Sequence, residues 1–265
     1  MTFSRLITRN RLGPMVLALA IVAGSILSLV FIGRFEPGST VAHAQSKPPK
    51  DEFERRLRAY LLDNPEVIAE ALQRLEQQRQ AASARAAKDT IKARADEIFR
   101  DPASPVGGNP EGDVTMVEFF DYNCPYCRKV VPSMAKAEAD DPQLRIVYKE
   151  LPILGANSTF AAKAALAAHQ QGQYLKLHKS LMEAKGTLTK QRVLEIAGRI
   201  GLDVAWLEAD MVAPAIQAAI DRNLELAHAL RINGTPGFVI GNEIIAGAME
   251  LSDMERLIRN ARTKK

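Results

Sequence analysis

Val114-Thr115-Met116-Val117-Glu118-Phe119-Phe120-Asp121-Tyr122-Asn123-Cys124-Pro125-Tyr126-Cys127 holds both cysteines of this 265-residue chain. Val114 to Phe120 is an apolar run that Glu118 interrupts, and it predicts a buried strand. Pro125 fits the first turn of a helix, so the Cys-x-x-Cys predicts a helix start, running toward Ala139 with a kink at Pro132. At such a junction the first sulfur lies over unpaired backbone N–H groups, and the positive end of the helix dipole favours its thiolate. The second sulfur follows one turn later, close enough to close a small disulfide. A purely structural disulfide is the alternative, but a four-residue loop constrains little chain entropy and makes a poor staple. The spacing suits reversible two-electron thiol chemistry.

Composition narrows the function further. Hydrophobic residues make up 47% and charged residues 25% of the chain, which is ordinary for a globular protein of one or two domains. The net charge of +4 is not a nucleic-acid footprint. Residues 1–44 contribute Arg5, Arg9, Arg11 and Arg34 against Glu36, and without them the balance is +1. Two cysteines exclude a multi-disulfide scaffold, and no nearby histidine pair completes a zinc site. No metal or cofactor is expected.

The first three of those arginines precede an apolar stretch from Met15 to Ile32, which Gly33, Pro37 and Gly38 terminate. Ala42-His43-Ala44 offers small residues at the positions a signal peptidase reads, making Gln45 the first mature residue. The stretch of about 18 residues is also just long enough for an uncleaved anchor. Either way the rest of the chain lies outside the cytoplasm. In a two-membrane host that is the periplasm, where thiol–disulfide exchange has substrates.

Three regions are expected: a signal peptide or anchor over 1–44, a helical extension over 45–100, and a main domain over 101–265 whose first long strand is Val114–Phe120. In the extension, Phe53, Leu57, Tyr60 and Leu61 recur at helical spacing. Asn64-Pro65 predicts a new capped helix with Ile68, Leu72 and Leu75 on one face. Beyond Gln77 the pattern thins to Gln, Ala, Lys and Arg. So narrow a stripe must pack on the main domain or on copies of itself. In the main domain, Pro105 to Pro110 predicts a loop and Leu144 to Glu150 a second strand. Residues 155–231 read as a helical insertion, with Ser158, Thr189 and Asp203 as caps. Gly237–Gly241 and Glu243–Ala246 predict paired strands, and Leu251–Arg262 a final amphipathic helix.

Three motifs in this order carry a family resemblance. They are Glu118 to Cys127, Lys149-Glu150-Leu151-Pro152-Ile153-Leu154-Gly155, and Gly234-Thr235-Pro236-Gly237-Phe238-Val239-Ile240. Together they resemble the DsbA family of exported disulfide oxidoreductases, over roughly residues 110 to 262. The implied fold is α/β: a thioredoxin fold with an inserted helical domain, preceded by an α-helical extension. Phe53 to Leu62, followed by Asn64-Pro65-Glu66-Val67-Ile68, is similar to the amino-terminal segment of the ScsC, or copper-sensitivity-suppressor, branch. That segment trimerises some members and gives them isomerase activity, while other members differ in oligomeric state. A homo-oligomer through residues 51–82 is therefore expected.

The resemblance assigns roles at the site. Cys124 is the exposed nucleophile and Cys127 the buried resolving thiol. Pro125 and Tyr126 tune the redox poise. Strong oxidants of the family carry histidine where this chain has Tyr126, and valine where it has Thr235, so both positions imply a milder oxidant or an isomerase. Pro236 matches the cis-proline that faces the disulfide and leaves Thr235 backbone groups to the substrate. Glu118 is assigned proton transfer for Cys127; pairing with Lys149 on the neighbouring strand is the alternative. Tyr122 is expected to line the substrate groove. Phe119, Phe120 and Phe238 read as core, and His169, His178 and His228 as surface or packing residues.

An exported thiol–disulfide oxidoreductase with an isomerase leaning follows, acting on cysteine-containing client proteins and kept reduced by a membrane redox partner. Two alternatives stay open. One is a DsbA-like oxidase that a membrane partner reoxidises. The other is a Cu(I)-binding protein of a copper-tolerance system, since thiolates suit that soft ion.

Overall fold

The structure, a computed structural model, describes residues 51–263. The expected signal peptide or anchor, and residues 45–50 of the expected extension, lie outside the described residues. In chain order the elements are α1 (Glu52–Asp63), α2 (Glu66–Ala93), α3 (Ala95–Phe99), β1 (Val106–Gly108), β2 (Val114–Phe120), α4 (Pro125–Asp140) and β3 (Leu144–Glu150). There follow α5 (Ala156–Gln170), α6 (Tyr174–Met182), α7 (Lys190–Arg199), α8 (Val204–Asp210), α9 (Pro214–Ala229), β4 (Gly237–Ile240), β5 (Glu243–Ala246) and α10 (Leu251–Thr263).

One sheet of order β1-β3-β2-β4-β5 carries the fold. β2 runs parallel to β3, and α4 makes the crossover between them. β4 pairs antiparallel with β2, which brings the late Thr235-Pro236 turn beside the strand that ends in the cysteines. Helices cover both faces of the sheet, which is why Met116 to Phe120 are all buried. One face packs Met116, Phe120, Tyr148 and Phe238 against α4, α10 and the inserted helices. The other packs Val117, Phe119, Val147 and Val239 against Leu226 and Ala227 of α9, and against Ile91 and Ile98.

Those two isoleucines mark where the structure departs from an extension with little to bury. Ile91 and Ile98 are almost fully buried on the sheet, so α3 and the end of α2 belong to the main domain's core. Another difference is β1, expected as loop. It pairs antiparallel with β3, and its glycines are a consequence of that packing: a Cβ on Gly107 would sit 3.0 Å from the Tyr148 ring. Two expected caps also move. Asn64 does not cap α2; its side-chain amide donates back to the Tyr60 carbonyl and so closes α1. Ser158 is buried inside the first turn of α5. Thr189 and Asp203 do cap, accepting from the backbone N–H of Arg192 and Trp206.

The chain divides into two compact units between Ala59 and Tyr60. Of the first, the described residues are the opening turns of α1, with Phe53 and Leu57 exposed. In the second, Tyr60, Leu62, Ile68, Leu72 and Leu75 are exposed as well, and Ile91 is the one buried residue of α2. Among the described residues of this second unit, these apolar positions from Tyr60 to Leu75 are left without cover.

Candidate active site

β2 ends at a loop that its own polar residues hold. Asp121 is buried, and its carboxylate accepts from the N–H of Asn123 (2.8 Å) and Leu154 (3.0 Å), while its carbonyl accepts from the N–H of Cys124 (3.0 Å). The Asn123 side chain accepts from Leu188 N–H (2.8 Å) and donates to Ser158 Oγ (3.3 Å). Arg128 fixes the loop from α4, with Nε donating to the Tyr122 carbonyl (2.8 Å) and Nη1 to the carbonyls of Ala184 and Gly186 (2.9 and 2.7 Å).

Cys124 is the residue before the first turn of α4, in an extended conformation, and Pro125 opens the helix. Its thiol donates to the Thr235 carbonyl at 3.1 Å. The Thr235–Pro236 bond is cis. Both cysteines are free thiols. Cys124 was expected to be exposed; it is only 4% accessible, because the Thr235 turn lies over it, and Cys127 is fully buried. Tyr126 is 63% exposed beside the pair, and Pro125 is exposed too.

Cys127 is held as a thiol. Burial pushes its pKa up first and nearby Glu118 adds to this, while a backbone hydrogen bond with Asp121 and the Thr235 side chain favour the thiolate. Glu118 is 1% exposed, and its Oε1 has no hydrogen-bond partner. Burial pushes its pKa up to about 8. The alternative pairing with Lys149 is ruled out by register. Glu118 lies opposite Tyr148 and Phe119 opposite Lys149, so the lysine points to the other face of the sheet. There its ammonium donates to the Glu97 carbonyl (2.6 Å), Ser104 Oγ (2.7 Å) and Asp101 Oδ2 (3.3 Å). Glu118 instead faces a cavity of about 540 Å³ between α4 and α6, which Arg128, Tyr148 and His178 also line.

Tyr122 does not line a substrate groove. It is 1% exposed and its hydroxyl points inward, to Glu150 Oε1 (3.0 Å) and His178 Nδ1 (3.1 Å). Among the described residues, no three His, Cys, Asp or Glu side chains converge as metal ligands.

The DSBA-like thioredoxin domain family matches residues 115–259, more than half of the chain. The chain belongs to this family. Residues 50–82 match a second family, the copper resistance protein ScsC N-terminal domain. Among solved structures, a thioredoxin-like oxidoreductase from Silicibacter pomeroyi is 48% identical, with a TM-score of 0.63, covering 63% of this chain and 97% of that one. The catalytic domain of Proteus mirabilis ScsC is 28% identical, with a TM-score of 0.61, covering 66% and 98%. The thiol:disulfide interchange protein DsbA of Bordetella parapertussis is 27% identical over 171 residues, 56% of this chain and 78% of that protein. A Na(+)/H(+) antiporter NhaA of Salinispora tropica is 27% identical over 158 residues, 59% of this chain. The chain spans about a quarter of that antiporter's length.

The DsbA-like fold thus brings Cys124, Cys127, Thr235, Pro236 and Glu118 to one end of β2 and β4, and leaves Pro125 and Tyr126 at the surface. The supports Asp121, Asn123 and Arg128 are the residues sequence patterns miss. Asp121 and Asn123 stand inside the first motif, but which partners they hold depends on segments 33 to 65 residues away.

Proposed function

We propose that this protein is an exported thiol–disulfide exchange enzyme that shuffles disulfides in client proteins. In this reading residues 1–44 direct export to the periplasm, residues 51–82 join copies of the chain, and residues 101–265 do the chemistry. The observation that carries it is the Cys124 thiol set against the Thr235 carbonyl, with a buried Cys127 and an unpartnered Glu118 behind it.

The chemistry follows from that order. The Cys124 thiolate attacks one sulfur of a client disulfide; a Cys124–client S–S bond forms and the other client sulfur leaves as a thiolate. If another client thiol attacks this mixed disulfide, the client has been isomerised and Cys124 is free again. If Cys127 attacks instead, it gives its proton to the Glu118 carboxylate, the client leaves reduced, and a Cys124–Cys127 disulfide remains. A membrane electron donor must then reduce the pair. Thr235 and Pro236 present backbone to the client, and Pro125 and Tyr126 border it. Tyr126 supplies no positive charge to hold the Cys124 thiolate near neutral pH, which supports the isomerase direction over strong oxidation. The uncovered stripe of Phe53, Leu57, Tyr60, Ile68 and Leu72 supports self-association, as does the ScsC N-terminal match. Among the described residues no helix is long and apolar enough to cross a membrane.

The test compares residues 45–265 with a variant lacking 51–82. The full mature chain should refold a scrambled multi-disulfide protein and oxidise a reduced one poorly. It should be an oligomer in solution, and the deletion should be a monomer that refolds scrambled substrate weakly. Efficient oxidation without refolding would make it an oxidase, and a monomer in both cases would remove the oligomer.

A further inference from the structure

Arg128 stands four residues after Cys124, and its backbone N–H bonds back to the Cys124 carbonyl (3.2 Å). Residues at this spacing share one helix face, and a helical side chain leans toward the amino end of its helix. The Arg128 guanidinium therefore lies over the turn that opens with Cys124. It is held there on carbonyls: Nε on Tyr122, and Nη1 on Ala184 and Gly186. Nη2 is buried and has no partner. A clamp of this kind needs N–H groups but no charge. Burial penalises the charged form of Arg128, and neutral carbonyls compensate a cation less well than a carboxylate does. The charge therefore needs an explanation beyond the clamp.

The surrounding charges supply one. Asp121 attracts Arg128 most strongly, and the two cysteines follow. Asp121 is buried three residues before Cys124, and its carbonyl accepts from the Cys124 N–H. Its negative charge opposes a thiolate at Cys124, and Glu118, behind Cys127, adds to this whenever it is ionised. The Thr235 carbonyl accepts from the Cys124 thiol and so favours the protonated sulfur as well. On the other side stand the amino end of α4 and Arg128. Glu138, His178, Lys179 and Glu183 border the cavity that Arg128 also borders. Lys129, next in α4, and Lys185, between the two clamped carbonyls, are exposed. Water and salt screen such exposed charges more than a pinned, half-buried one. Tyr126 carries no positive charge.

We infer that Arg128 is the cation that makes Cys124 a nucleophile: pinned on the Tyr122, Ala184 and Gly186 carbonyls, it offsets Asp121 and holds the Cys124 thiolate. Arg128 touches no client atom and acts through Cys124, so it is a positioning residue. Only the reduced pair has a thiolate to hold, so the same charge shifts the pair toward the dithiol. That is the state in which an isomerase must be kept. The inference rests on the reading that Cys124 is the attacking sulfur.

The test mixes residues 45–265, reduced, with a chromogenic aromatic disulfide. The Cys124 thiolate attacks one aromatic sulfur; a Cys124–aryl S–S bond forms, the aromatic S–S bond breaks, and one aromatic thiolate leaves. This first release reports Cys124. Release of the second aromatic thiol from the mixed disulfide reports the attack of Cys127. Arg128→Gln keeps N–H donors for the carbonyls and drops the charge. Its first-release profile should move up by about one pH unit. A more basic thiolate is scarcer but more nucleophilic. The variant should therefore be about threefold slower than wild type at low pH and about threefold faster at high pH, so the profiles cross. Its equilibrium with glutathione should shift about threefold toward the disulfide, about 15 mV. Arg128→Lys keeps the charge and loses the fork, so it should restore the profile without restoring the unfolding midpoint. A Gln profile that superimposes on wild type, or is slower by one factor at every pH, would leave Arg128 a clamp only. A Lys variant that behaves as Gln does would overturn the inference too, by assigning the effect to hydrogen bonds. If the wild-type chain gives no first release at any pH, the thiol-exchange reading itself fails.

Discussion

Glu118 and Lys149 are both buried in adjacent strands of one sheet, and their surroundings are opposite. Lys149 has three oxygen partners, from Glu97, Asp101 and Ser104. Glu118 has an oxygen with none, in a cavity that reaches toward α6. A buried charge with all its hydrogen bonds made is an element of architecture: Lys149 ties the α3–β1 segment to the sheet. A buried carboxyl left without a partner is kept neutral by its environment, and it sits beside the thiol whose proton must leave. In the proposed mechanism the two faces of the sheet divide the labour, one anchoring the extension and the other handling protons.

The largest effect that tests this division is on stability. Lys149→Met should cost about 3 kcal/mol, because it strips a cation from Asp101 and from two further acceptors. The rate of thiol release and the reduction potential should not change; denaturant unfolding and a glutathione equilibrium measure both. A changed potential would mean that the two faces are coupled.

Glu118→Gln should do the reverse. The folded-state pKa of Glu118, about 8, lies above the 4.5 of an ordinary glutamate. The folded protein therefore holds an extra proton between those values, and Glu118 erodes its stability as pH rises from 4.5 to 8. Glutamine carries no such charge. The variant should match wild type near pH 4.5 and exceed it by a few kcal/mol at pH 8, as seen in unfolding curves at the two pH values. Equal stability at both would mean that Glu118 has an unrecognised partner.

Thr235→Val should give the smallest effect. It removes a side-chain hydrogen bond that favours the Cys127 thiolate, worth about 1 kcal/mol. Thiol release should slow several-fold with the fold unchanged. An unaltered rate would assign Thr235 to the client through its backbone alone.

Glu118 was legible in the sequence because a charged residue stands out in an apolar strand. β2 was legible as an apolar run, and β3 by the alternation of its residues. β1 was not, since two of its three residues are glycines and pairing with β3 is what makes it a strand. Ile91 and the Ile98-Phe99 pair are sparse apolar positions in a polar helical stretch, too few to signal locally that they reach the sheet. Tyr122 was misplaced because closeness to the cysteines in the chain says nothing of which way the ring turns. Glu150 and His178 lie 28 and 56 residues from Tyr122, and only packing α6 on the sheet brings the three together. The cysteine pair and the Thr235-Pro236 turn needed no such help, because their motifs carry the resemblance intact.

The most direct test of the account is the pH profile of thiol release from a Cys124 mixed disulfide in wild type and Glu118→Gln. Wild type should hold its rate down to about pH 8, where Glu118 takes up its proton. The variant should be about a hundredfold slower there and should climb steadily with pH, because Cys127 must then lose its proton to solvent. Superimposed profiles would contradict the account, by showing that the buried carboxyl beside Cys127 takes no part in its chemistry.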